Sequence, residues 1–455
     1  MIIVKLLRPT RLWAAVAMLI ALPLLACEAA GTGDDGSDHA DLALIQEVMH
    51  RVQDSYVSPV NVNEFTTNAL KGALTGLDPH SDYMDEREYH ALLSDTQGEF
   101  GGLGMELTLQ NGVPEIVSPI DDTPAARANL KSGDLIVKIG DQPTDRMSLS
   151  EAVERLRGPV ATPVTLTILR GTRPPFPVTL TRAIIHVVSV KSSLQPGAIG
   201  YARVSVFNER TQEELTEALA RLKRQAHGHL NGFVLDLRND PGGLLDAAVE
   251  VAGDFVDGGP VVTTRGRESQ DDQVYAAPNG SDRLAKTPMV VLINGASASA
   301  SEIVAGALQD DHRATVMGTR SFGKGSVQTI IPLDGKGALR LTTARYYTPA
   351  GRSIQDDGIT PDIVVVVPAD EQVAGGTILH EADLRGALKN TGSLGGKSGG
   401  PTAAADRPAD DSIIAQALIG TPKDAQLQAA LKYLDRTLAK GGVGTTRAAA
   451  NAAAR

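Results

Sequence analysis

The spacing of apolar residues changes along the chain, and each change predicts a different kind of element. From 12 to 26 they run almost unbroken, after Lys5, Arg8 and Arg11. Between 41 and 96 they recur at helical intervals: Leu42, Ile45, Val48, Met49 and Val52 share one face, and Leu70, Ala73, Leu74 and Leu77 another. Asp78-Pro79 stops the second of these helices. The module offers a packing or dimer surface and shows no chemistry. Between 97 and 183 short β-rich runs take over, at 103–109, 114–118, 134–139, 164–169 and 178–182, with a helix at 149–156. From 184 to 368 apolar strands at 198–206, 232–237, 289–293, 314–317, 339–346 and 363–367 alternate with helices near 211–225, 244–255 and 299–309. That order predicts a layered α/β sheet. The Gly/Ala/Ser/Pro-rich stretch 369–410 predicts a mobile linker. The last segment, 411–455, predicts an amphipathic helix and a tail.

Composition narrows the classes. With 455 residues, 42% hydrophobic and 21% charged, the chain has the mix of a multidomain globular protein. A net charge of −11 argues against nucleic acid as a partner. A single cysteine permits no internal disulfide and no zinc site built on two or more cysteines.

Residues 1–26 read as an export signal: basic residues precede an apolar run too short and too one-sided for a membrane span. Leu24-Leu25-Ala26-Cys27 resembles a bacterial lipobox, in which the cysteine becomes the lipidated first residue. Ordinary cleavage around 26–30 and an uncleaved anchor are the alternatives. Residues 27–40 then form a flexible tether. The expected location is extracytoplasmic, in a bacterial periplasm, with membrane association by lipid or signal anchor.

The β-rich domain carries GEFGGLGMEL at 98–107 and SGDLIVKIG at 132–140, and with its strand and helix order it resembles a PDZ domain. In the loop Gly101, Gly102, Leu103 and Gly104, glycines let successive backbone N–H groups converge on an anion. A chain-terminal carboxylate can dock there while the residues before it add as a strand. The pocket for the terminal side chain is expected between this loop and the helix at 149–156. Arg157 is either a contact at the domain boundary or a cation favourable near a helix end.

The segment VVLINGASASASEIVAGAL at 290–308 reads strand, turn, helix, with Ser299 three residues before Glu302. As a capping box, Ser299 begins the helix and Glu302 reaches back. A serine there also sits beside unpaired N–H donors and the positive end of the helix dipole, where an oxyanion is favoured. No G-x-S-x-G elbow surrounds it, and His312, beside Asp310 and Asp311, is weak support for a serine–histidine pair. A lysine is the alternative base, and Lys324 lies between glycines in GTRSFGKGSVQT at 318–329. Two lookalikes fail in that segment. Gly318-x4-Gly323-Lys324 lacks the Ser/Thr of a P-loop and leads into a strand instead of a helix, and Ser321-x-x-Lys324 lacks the helix that an S-x-x-K site needs.

Together these residues resemble the carboxy-terminal processing (tail-specific) serine proteases, in which a lysine follows the S-A-S-A-S-E-I serine by 25 positions and a glutamine follows by four more. The resemblance implies Ser299 as nucleophile, Lys324 as general base and Gln328 as its orienting partner. It implies an oxyanion hole from Ala300 N–H and a glycine of the Gly242-Gly243 pair, in a D-L-R-N-x-P-G-G segment at 236–243 where Asp240 replaces a frequent asparagine. The implied fold is multidomain α/β: a crotonase- or Clp-protease-like core with an inserted PDZ domain and an N-terminal helical module. No cofactor and no metal is implied. The implied partners are protein substrates with accessible C-terminal tails ending in apolar or small residues, with a homo-oligomer and a regulatory adaptor compatible with it. Two rival functions stand beside this one: a catalytically silent PDZ adaptor that binds tails at the cell envelope, and a Ser–Lys hydrolase of cell-wall peptides or β-lactams.

Overall fold

A strand in which every residue is apolar needs cover on both faces, and Met289–Ile293 receives it. It lies inside a six-stranded sheet of the computed structural model, whose described backbone comprises residues 4–5, 35–377, 379–392 and 412–452. The order is Val190–Gln195, Ile199–Val204, Gly232–Asp236, Met289–Ile293, Thr315–Gly318 and Ile363–Val364, parallel except for the antiparallel first strand. Alternate side chains part to the two faces. Phe233, Leu235, Val291 and Ile293 pack with Leu215, Ala248 and Ile303 of the helices Thr211–Gln225, Leu245–Gly253 and Ala300–Asp310. Val234, Val290 and Leu292 pack instead with Leu427, Ala430 and Leu434 of the helix Ala425–Ala452. The C-terminal helix is therefore a layer of the core.

A buried cation fastens that layer. The Arg238 guanidinium, wholly inaccessible to solvent, donates to Asp236 at 2.9 and 2.5 Å, to Asp424 at 2.9 and 2.6 Å, and to Gln426 Oε1 at 2.9 Å. Asp424 also caps the C-terminal helix, accepting from Leu427 N–H at 3.0 Å.

A second sheet holds Ser326–Pro332, Ala338–Tyr347, Gly259–Arg265 and Gln273–Ala277, all antiparallel, with Val4–Lys5 running parallel along Gln328–Thr329. The outer edge of Ala338–Tyr347 takes Gly259–Arg265 at one end and Asp82–Met84, from the N-terminal module, at the other. That module consists of the helices Asp35–Ser55, Val62–Thr75 and Glu86–Gln97. Asn61 and Asp85 supply the N-terminal caps of the second and third, and the second ends before Asp78-Pro79.

The β-rich domain is an insertion with a narrow stem. The chain leaves the core through Glu99–Gly102 and returns through Ala183–His186, and the two strands pair antiparallel over four residues each. Beyond the stem, Met105–Gln110, Val113–Pro119, Leu135–Ile139, Pro163–Leu169 and Phe176–Thr181 form one sheet, with Leu149–Leu156 closing its side. Ile116, Ile136, Leu166 and Ile168 form a core separate from the one above.

The stretch 369–410, expected as a linker, is structured over its described part. Gln372–Thr377 pairs with Ser412–Ile414, and His380 and Glu381 are buried. The Glu381 carboxylate is held by His80 Nε2 at 2.8 Å and Gln355 Nε2 at 3.0 Å. A stretch with a low-complexity composition is fixed by partners distant in sequence. The export signal, apart from two backbone residues, lies outside the described residues, as does the proposed lipid site Cys27. Among the described residues no helix is long and apolar enough to cross a membrane, and no group of His, Cys, Asp and Glu could hold a metal ion.

Candidate active site

Ser299 ends the turn after strand Met289–Ile293 and begins the helix Ala300–Asp310. Its φ of 61° and ψ of −112° put a residue with a side chain in backbone space that costs on the order of 1–3 kcal/mol. The sequence shows no elbow signature, yet the backbone makes a strained strand-to-helix elbow at Ser299. A strained turn of this kind persists only where its surroundings fix it. Gly242 is one such support: a Cβ there would lie 2.8 Å from Ser299 Cβ and 2.6 Å from Ala298 O.

Capping at this helix start is one-sided. The Glu302 carboxylate accepts from Ser299 N–H at 2.7 Å, while Ser299 Oγ is buried with no hydrogen-bond partner among the described residues. The hydroxyl is thus free for chemistry, and its bond to Lys324 is not made in this conformation. Glu302 also accepts from Lys324 N–H at 2.9 Å, Gly323 N–H at 2.7 Å and Ser321 Oγ at 2.5 Å. The buried Tyr346 hydroxyl meets the carbonyl oxygens of both Ser299 and Lys324. Two groups that the sequence did not single out for this purpose, Glu302 and Tyr346, therefore clamp the serine and lysine segments side by side. Burial pushes Glu302 up to about 7, against the pull of its hydroxyl and N–H donors.

Lys324 is 4% exposed. Burial pulls its ammonium down to about 8; Arg340 adds to the fall, while the carboxylates of Glu381, Glu302 and Asp78 oppose it. The lysine precedes the strand Ser326–Pro332, and Ser321 lies in irregular backbone, so neither the P-loop nor the S-x-x-K reading has its helix. His312 is exposed beyond the far end of the helix. Gln328 is fully buried on that strand. Its Nε2 donates to Ser326 Oγ and Thr342 Oγ1, each at 3.1 Å, and its Oε1 has no partner among the described residues.

The glycine pair lies against the elbow. Gly242 N–H donates to Asp240 Oδ1 at 2.8 Å, which leaves Gly243 as the glycine of the pair whose N–H is not given to that carboxylate. Gly243 must lack a side chain, because a Cβ would fall 1.9 Å from Phe207 O. Asp240 is completely buried, and burial pushes its carboxyl well above the usual range. A protonated Asp240 would have the shape of an asparagine and, like it, a donor beside an acceptor, with one proton where the amide has two.

In the inserted domain, Leu103, Gly104 and Met105 line a groove together with Val153, Leu156 and Arg157. Gly102 lines the groove from within the stem strand. Gly101 does not line it; its missing Cβ makes room for Gly158 O, 2.1 Å from where that carbon would be. Arg157 is a contact at the domain boundary: its guanidinium lies 4.2 Å from the centre of the Phe100 ring and 3.8 Å from Asp95.

Residues 198–365 match the model of peptidase family S41, and residues 115–170 match that of a PDZ domain. The carboxy-terminal-processing protease of Bartonella bacilliformis is 47% identical over 383 residues, or 84% of this chain and 88% of that one. The carboxyl-terminal-processing protease of Synechocystis is 37% identical over 326 residues, covering 70% and 75% of the two chains. Among solved structures, a photosystem II D1 C-terminal processing protease is 30% identical with a TM-score of 0.42, covering 72% of this chain and 93% of that one. Identity this high over most of both sequences shows that the chain belongs to peptidase family S41, among the carboxy-terminal-processing proteases.

Proposed function

We propose that this serine-type peptidase captures the C-terminal tail of a protein in its PDZ groove and cuts that protein's chain with Ser299 and Lys324. The observation that carries the reading is a lysine whose ammonium is brought down to about 8 by burial and which is clamped, through Glu302 and Tyr346, beside a strained serine with an unused hydroxyl. Neutral Lys324 Nζ takes the proton from Ser299 Oγ as Oγ adds to the scissile carbonyl. Ala300 N–H, at the positive end of its helix, and Gly243 N–H receive the oxyanion. The lysine then protonates the leaving amine, and an acyl-enzyme remains. Water adds to that ester with its proton going to Lys324, and the acid is released as Ser299 regains a proton. Gln328 does not titrate; its work is to orient the amine. A silent adaptor would need none of these groups.

The test is a protein substrate with an apolar C-terminal tail. Cleavage is expected for the free carboxylate, with a much higher KM when the tail is amidated, and a fluorophosphonate probe should add its mass to the peptide containing Ser299. Equal cleavage of both tails would overturn the docking role, and labelling at another serine would overturn the nucleophile. The proposed placement is extracytoplasmic, in a bacterial periplasm and associated with a membrane, supported by the basic and apolar residues of 1–26 and by Leu24-Leu25-Ala26-Cys27. A mature N-terminus at Cys27 carrying a diacylglycerol mass is the expected result, and an unmodified Cys27 would refute it.

A further inference from the structure

We propose that Asp78, in the loop between the helix Val62–Thr75 and the strand Asp82–Met84 of the N-terminal module, is a positioning residue that sets the orientation of the Gln328 side-chain amide through Thr342. The inference rests on the Ser299–Lys324 reading and adds to it a contribution from the N-terminal module.

The loop fills a gap in a sheet edge. Asp82–Met84 pairs with residues 338–340 of the long strand and Gly259–Arg265 with residues 345–347, leaving Thr342 between them. There Thr342 N–H donates to Ser81 Oγ at 3.1 Å, and Thr342 Oγ1 donates to Asp78 Oδ1 at 3.1 Å. Asp78, only 4% exposed, is itself fixed by His80 N–H at 2.8 Å, Ser81 N–H at 2.9 Å and Ser81 Oγ at 2.7 Å.

The direction of these bonds decides what reaches Gln328. A carboxylate only accepts, and a threonine hydroxyl has one proton. With that proton committed to Asp78, Thr342 Oγ1 can only accept from Gln328, so the amide must present Nε2 to it. The second Nε2 proton goes to Ser326 Oγ. Oε1 is left as a buried acceptor with no partner among the described residues. In the role given to Gln328, an acceptor takes a proton of the lysine amine and leaves the nitrogen lone pair for Ser299. A flipped amide would donate onto that same lone pair. Asp78 thus favours the amide orientation that keeps the base available, and it does so only while the N-terminal module is seated on the core.

The experiment measures kcat, KM and the pH profile of Asp78→Ala, Asp78→Asn and Thr342→Val in the full chain with the tailed substrate. Thr342→Val and Asp78→Ala should lower kcat about tenfold to a hundredfold with KM little changed. Asp78→Asn keeps Oδ1 as an acceptor for Thr342 Oγ1 and for the His80 and Ser81 N–H groups, gives up only the Ser81 Oγ bond to Oδ2, and should recover most of the loss. The charged groups that influence Lys324 are Glu381, Arg340, Glu302 and Asp78, with His80 bonded to Glu381. Removing the Asp78 charge alone should therefore move the acid limb of kcat/KM to lower pH in Asp78→Asn. Wild-type kcat in Thr342→Val, a change confined to KM, or an Asp78→Asn variant as impaired as Asp78→Ala would each overturn the proposal. Should Asp78→Ala not fold, Thr342→Val decides, because valine keeps the shape and removes only the hydroxyl. A failure of the underlying reading would look different: Ser299→Ala would still cleave.

Discussion

Lys324→Met is expected to remove cleavage, by about 10⁴-fold or more, and at the same time to make the folded protein more stable. The lysine is buried, and burial holds its folded pKa near 8 against an ordinary value of 10.5. Between those two pH values the unfolded chain binds more protons than the folded one, so stability rises with pH across the window. Below pH 8 the full cost of about 3 kcal/mol is present. Methionine fills similar volume without a charge, so the variant should gain on that order at pH 7, with the gain vanishing above pH 10.5. Urea unfolding at pH 7 and pH 10.5 measures it. The same displacement sets the activity profile: at pH 7 about a tenth of the molecules carry the neutral amine, and kcat/KM should rise with pH through an inflection near 8. Ser299→Ala should match Lys324→Met in lost activity, and the double variant should lose no more, because the two act as a unit. Unchanged stability in the lysine variant, or a wild-type pH profile flat from 6 to 9, would contradict the burial argument.

Arg238→Met is expected to destabilise the core by about 3–5 kcal/mol. The arginine is fully buried between two carboxylates, so its removal leaves Asp236 and Asp424 facing each other out of water with no cation. The deficit should shrink at acid pH, where one of the pair takes up a proton. Denaturant midpoints at pH 5 and pH 8 give the comparison, and an equal loss at both would point to packing instead of charge. Activity should also fall in the surviving folded protein, since Arg238 stands two residues before Asp240 and four before Gly242, in the loop that supports the elbow.

The parts legible in the sequence were those encoded locally. MVVLI at 289–293 declares a strand covered on both faces, and the serine, lysine and glutamine stand at fixed intervals that a resemblance can carry across. The C-terminal tail groove needed only short strands, a glycine loop and one helix in order. The illegible parts are long-range. Nothing around Asp78 or Thr342 says that they touch, because a sheet edge filled from the N-terminal module leaves no periodic trace. Glu302 was legible as a cap, but its other bonds run to residues 321–324 in a turn. Tyr346 looked like one more strand residue. The structured part of 369–392 was hidden by its composition, since the groups that hold Glu381 belong to His80 and Gln355. Arg238 could be read only as one letter of a motif until the C-terminal helix supplied Asp424.

The stem of the inserted domain has a consequence of its own. Because Glu99–Gly102 and Ala183–His186 run side by side, the insertion is joined covalently to the rest of the chain at two adjoining ends, much as a hairpin is, with Arg157 and Glu154 making side-chain contacts across the boundary beside it. A graft on that ribbon that keeps the contacts to Asp95 and Arg87 would exchange the reader of tails without altering any residue that cuts.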